Sequence, residues 1–122
     1  MKKIMKSLSL LILTISVTIS SVCAMTFNEA KTQDKPIVVM FHQHGCSACR
    51  RFSPRFNKMA SRFSSKFNFV KEDVKYSEIE ESLNFSTVPA FFIIQPKTMA
   101  AKRIDDNCAW DKECFAKALN DY

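Results

Sequence analysis

Cys46 and Cys49 stand two residues apart, where an unbroken apolar run, Ile37-Val38-Val39-Met40-Phe41, gives way to a segment with helical spacing. An apolar run this short and rich in β-branched residues predicts a central strand covered on both faces. From Cys49 onward, Phe52, Phe56, Met59, Ala60 and Phe63 fall on one helical face. The chain must therefore pass from strand to helix around Gly45, leaving Cys46 at the mouth of the helix. The first N–H groups of a helix have no partner within it, and its dipole adds about half a positive charge at that end. A Cys46 thiolate would be stabilised there, and Cys49, one turn on, is close enough to form a disulfide with it. Such a pair suits thiol–disulfide exchange, with Cys46 attacking and Cys49 releasing the mixed disulfide.

The rest of the chain supplies further elements around this junction. Phe27 to Lys35 reads as a short helix ended by Pro36. Pro54 falls inside the long helix, where its ring removes one backbone bond and predicts a kink. Arg51, Arg55, Lys58 and Arg62 form a basic stripe beside the apolar face of the same helix. A second strand is expected from Phe67 to Val74. A helix over Ser77 to Leu83 should follow, with Ser77 and Glu80 forming a capping box. Ala90 to Ile94 reads as a third strand, Pro96-Lys97-Thr98 as a turn, and Met99 to Ile104 as an edge strand. A last helix carries Cys114, Phe115, Ala118 and Leu119. This order predicts an α/β fold, a central mixed four-stranded sheet flanked by helices on both faces. The first two strands should be parallel through a right-handed crossover, the last two an antiparallel hairpin.

The N-terminus reads as a secretory signal over residues 1–24. Lys2, Lys3 and Lys6 give a positive start, Leu8 to Val22 an apolar stretch, and Val22-Cys23-Ala24 small residues for cleavage. Cleavage near Ala24 leaves one domain, 25–122, in a periplasmic or otherwise extracytoplasmic compartment. Lipidation at Cys23, or an uncleaved anchor, is the alternative. Without the three signal lysines the formal charge falls from +6 to +3. That balance, with no basic–aromatic signature, calls for no nucleic-acid partner. A monomer is expected. Eleven phenylalanines supply the dense core that a small exported domain needs.

Four cysteines remain beyond the signal, and four allow three connectivities. Cys108 and Cys114 lie too far apart on one continuous helix to bond, at about 9 Å along its axis. They can pair if Cys108 precedes the helix and Asp111 caps it, giving a structural staple. A second redox pair that relays electrons is the alternative.

The dithiol at a strand-to-helix junction, Pro54 five residues after Cys49, Val88-Pro89 before a strand, and Lys71 on the preceding strand together resemble the thioredoxin family. The likeness covers nearly all of residues 27–119. It implies a thioredoxin-like fold and a protein disulfide oxidoreductase without a cofactor. It also implies a cis bond at Val88-Pro89, facing the dithiol and pairing with substrate backbone. The opening from Phe27 to Pro36 looks most like exported members of the family such as the C-terminal domain of the electron transporter DsbD. That favours the reductase direction, with protein disulfides as substrates and a membrane or periplasmic redox partner. Several residues depart from the family pattern. Ser47-Ala48 fills the dipeptide, Gly45 replaces a tryptophan, Met40 stands where a buried aspartate is usual, and Asp105 where a glycine is. With Met40 in place, Asp73 is the same-face acid, with Glu72 the alternative. Val88 before the proline resembles DsbA, so a DsbA-like oxidase is the second reading.

His44, when protonated, and Arg50 or Arg51 would help to hold Cys46 ionised. His42 and His44 alternate on the strand end and, with the two cysteines, offer the donors of a copper or zinc site. A metal-delivery module is the rival reading from outside enzymology.

Overall fold

A computed structural model describes residues 25–122. The expected signal over 1–24, including Cys23, lies outside the described residues. Four strands form one mixed sheet in the order β2-β1-β3-β4. β1 (Ile37–His42) runs parallel to β2 (Asn68–Asp73) and antiparallel to β3 (Ala90–Ile94), and β3 pairs antiparallel with β4 (Ala101–Ile104). Strand bounds fall within two residues of those expected, and the parallel and hairpin pairings are the ones expected.

The central position of β1 explains its unbroken apolar run. Val38 and Met40 enter one core together with Phe91 and Ile93 of β3. Ile37, Val39 and Phe41 enter the other, with Val70, Phe92 and Ile94. Successive side chains point to opposite faces, so a strand covered on both sides must be apolar at every position. The edge strand β4 leaves Ala101, Lys102 and Arg103 exposed and buries Ile104. Its two cations discourage pairing with another chain.

The first face is covered by α2 (Ser47–Phe63) and α4 (Lys112–Asn120), preceded by the short α3 (Asp106–Trp110). α2 buries Cys49, Phe52, Phe56, Met59, Ala60 and Phe63, the stripe that its spacing predicts. Phe52, Phe91 and Phe115 meet ring to ring, with Phe52 and Phe91 centroids 4.4 Å apart. Pro54 lies within α2, leaving the Arg50 carbonyl without its usual donor.

The second face has a thinner cover. α1 (Phe27–Ala30) is one turn long, capped by Thr26, whose Oγ1 accepts from the Glu29 N–H at 3.1 Å. The helix expected to continue to Lys35 stops at Ala30 because Lys31 to Lys35 are all exposed. A helix this short persists only where packing holds it, here at Phe27 and Ala30. The helix expected over Ser77 to Leu83 is likewise a single 3-10 turn, Glu80–Ser82. Ser77 Oγ accepts from the Ile79 N–H at 3.3 Å instead of capping at Glu80, and the Ser82 hydroxyl donates to the Ile79 carbonyl at 2.7 Å. These local side-chain bonds take up backbone partners that a longer helix would need. Ile79, Leu83 and Phe85 still pack against the second core.

At the C-terminus the sequence predicts one helix after a loop. The structure divides that region into α3 and α4 at Asp111, whose carboxylate accepts from the N–H groups of Glu113 at 2.9 Å and Cys114 at 3.1 Å. Asp111 thus caps as expected, while Cys108 lies in its own short helix and not in a loop.

Candidate active site

β1 delivers the chain to His42, and three residues later Gly45 turns it into α2 with φ +84°. This left-handed backbone is costly for residues with a Cβ, which accounts for glycine here. The turn closes with the Cys46 N–H donating to the Gln43 carbonyl at 3.1 Å. Cys46 becomes the N-cap of α2, and its Sγ accepts from the Cys49 N–H at 3.1 Å. The two cysteines are joined in a disulfide with Cα atoms 5.3 Å apart. Cys49 is only 5% exposed, whereas Cys46 is half-buried and reachable from solvent. One sulfur is thus accessible at the helix mouth and the other lies behind it.

The Val88–Pro89 peptide bond is cis, in the place and form that the resemblance implied. The Val88 carbonyl oxygen lies 3.9 Å from Cys46 Sγ. In the disulfide Sγ has no proton to donate, so this is proximity and not a hydrogen bond. Val88 is half-exposed and Pro89 buried. The loop before β3 therefore forms one wall of the site, opposite the start of α2.

A cavity of about 390 Å³ opens on the other side of the disulfide, bordered by Met40, Cys49, Ser53, Lys71 and Asp73. Met40 of β1 and Lys71 of β2 are register partners, and Met40 is buried. Lys71 Nζ donates to Ser53 Oγ at 2.5 Å. Asp73 reaches this cavity, whereas a Glu72 carboxylate oxygen accepts from the Phe27 N–H at 3.3 Å beside α1. Strand alternation separates the two acids as expected. Ser53 was not among the residues the sequence singled out. Its signal was its position one helical turn beyond Cys49, on the same side of α2.

His42, His44 and Arg50 also border the cavity, His44 and Arg50 being exposed. Among the described residues, no group of three or more His, Cys, Asp and Glu side chains is placed to hold a metal ion.

Cys108 and Cys114 form a second disulfide, with Cα atoms 5.0 Å apart. It ties α3 to α4 and leaves Trp110 between its two ends. The Trp110 ring meets Phe52 edge-on at 4.9 Å, and its carbonyl accepts from the Arg55 guanidinium. Trp110 is 40% exposed, a feature that the sequence reading missed.

The thioredoxin family model matches residues 18–120, the larger part of the chain. The chain belongs to the thioredoxin family. Thioredoxin H2 of Arabidopsis thaliana is 33% identical over 70 residues, a match spanning 57% of this chain and 52% of that protein. Thioredoxin H4 of the same plant is 28% identical over 89 residues, 72% of this chain and 75% of that protein. The chain thus spans about half to three quarters of the length of these relatives. The crystal structure of thioredoxin NaTrxh from Nicotiana alata superposes with a TM-score of 0.61 at 25% identity, covering 78% of this chain and 79% of that one. Within this thioredoxin fold the local departures have clear placements. Ser47 and Ala48 occupy the first turn of α2, Met40 fills the floor of the cavity, and Asp105 caps α3 by accepting from the Asn107 N–H at 2.9 Å.

Proposed function

We propose that this chain is an exported thiol–disulfide oxidoreductase that reduces disulfides in other proteins through Cys46 and Cys49. The observation that carries the reading is the unequal exposure of the two bonded sulfurs at the start of α2, across from the Val88–Pro89 loop. In the reduced protein the Cys46 thiolate attacks a substrate disulfide, forming a mixed disulfide and expelling one substrate thiolate. Cys49, having lost its proton, then attacks Cys46 Sγ and expels the second. Two electrons leave the dithiol, and two protons end on the substrate thiols. The unpaired N–H groups and dipole of α2 stabilise the attacking thiolate, with the Arg50 guanidinium adding positive charge nearby. Val88 and Pro89 receive the backbone flanking the substrate cysteine as an added strand.

The reductase direction draws on the likeness of the opening residues to exported, DsbD-like electron carriers. Export draws on the lysine-led apolar N-terminus. An oxidising compartment has no thiol buffer to recharge the dithiol, so a membrane or periplasmic donor completes the cycle.

Cys49→Ser, made in the source organism, tests the exchange step. With the resolving sulfur gone, Cys46 should accumulate mixed disulfides with substrate proteins, visible on non-reducing gels and absent from Cys46→Ser. A Cys49→Ser protein that captures nothing would defeat the proposal. Equilibration with glutathione tests direction: a potential near about −270 mV supports the reductase, and one near about −120 mV the DsbA-like oxidase.

A further inference from the structure

α2 carries five cations, Arg50, Arg51, Arg55, Lys58 and Arg62, and no acidic residue along its 17 positions. Arg51, Arg55, Lys58 and Arg62 recur at helical spacing, so they lie in one line of about 16 Å along the helix. Arg51, Lys58 and Arg62 are exposed, and Arg55 is half-buried against Phe52 and Trp110. The ion pairs among the described residues involve Lys97, Arg103 and Lys117, and none of these five. The acids gather elsewhere: Glu72, Asp73, Glu78, Glu80 and Glu81 follow one another at the end of β2 and in the crossover to β3. A helix face needs only a few charges for solubility, and usually carries both signs. Here a single-sign line begins beside Arg50, which borders the dithiol, and runs away from it.

We propose that this line receives the substrate itself: a protein segment carrying acidic residues within about six positions of its disulfide cysteine. The proposal rests on the oxidoreductase reading and names the substrate class of that site. Once the substrate sulfur is at Cys46, six extended residues span about 20 Å, enough to follow the stripe past Lys58, about 18 Å along the helix, and to bring a side chain at the end of the segment towards Arg62. Fixed cations along that path raise the local concentration of an acidic partner and speed its encounter. The exposed edge of Trp110, beside Arg55, adds an aromatic contact of the kind that anchors protein interfaces.

Three peptides test this, each with one internal disulfide and a six-residue tail of glutamate-rich, lysine-rich or serine-rich composition. Each is mixed with the reduced full-length protein, and thiol release is timed. At low ionic strength the acidic tail should react about tenfold faster than the basic tail. At about 0.5 M salt, where screening is strong, the gap should fall below about twofold. Lys58→Glu with Arg62→Glu lies far from the sulfurs; it should shrink the gap about threefold and leave the serine-tailed peptide unchanged. Equal rates at low salt, or a gap that neither salt nor the substitutions alter, would overturn the proposal. So would unchanged peptide rates for a double variant that loses binding to phosphatidylglycerol vesicles, which would make the stripe a membrane-facing surface. Absence of reaction with all three peptides would instead defeat the oxidoreductase reading beneath it.

Discussion

Gly45 is the only glycine in the chain, and the site depends on the backbone it permits. An added Cβ would meet nothing within 4 Å, so space is not the constraint; the φ of +84° is. Gly45→Ala should cost about 1–2 kcal/mol, read as a lower urea midpoint with an unchanged slope. Single-residue chemistry was legible where it depended on neighbours in sequence. Cys46 and Cys49 could be placed from the change of periodicity around them, and Asp73 from alternation along β2. Ser53 and Trp110 were not legible in the same way. Their significance lies in what approaches from distant segments: Lys71 from β2 for Ser53, and Arg55 and Phe52 from α2 for Trp110.

At the scale of elements, burial governs what could be foreseen. α2, with six buried side chains, begins within two residues of where its apolar spacing starts. α1 and the turn after Ser77 are shorter than expected because their apolar residues are few, and local capping patterns cannot sustain a helix without packing. The α3–α4 pair depends on a cross-link that closes a short loop. Replacing both Cys108 and Cys114 by alanine should lower stability by about 2 kcal/mol, measured by urea unfolding. The same variant should reduce a neutral disulfide peptide at the unaltered rate, since Cys46 and Cys49 remain. A collapse of turnover without loss of stability would instead favour an electron relay through the second pair.

For the whole molecule, the first core is a set of phenylalanines contributed by every layer, with Phe52 at its centre and fully buried. Phe52 touches the rings of Phe91, Phe115 and Trp110, so it couples β3, α4 and α3 to the helix that carries the dithiol. Phe52→Ala should cost about 3–5 kcal/mol. Emission from Trp110, the sole tryptophan, should shift as its packing partner is lost. The layered architecture was legible because two-sided burial writes itself into β1 and β3 as continuous apolar runs; the thin second layer was not, because loops packed on a sheet have no periodicity. The spacing of the sulfurs has a consequence for biosynthesis. The partners in each bridge are three and six positions apart, whereas crossed bonds among these four cysteines would join residues about 60 to 70 positions apart. Closing those larger rings in a nascent chain costs about 2 kcal/mol more. Scrambling is thereby disfavoured before any tertiary structure exists, and each bridge can close within its own short segment of chain.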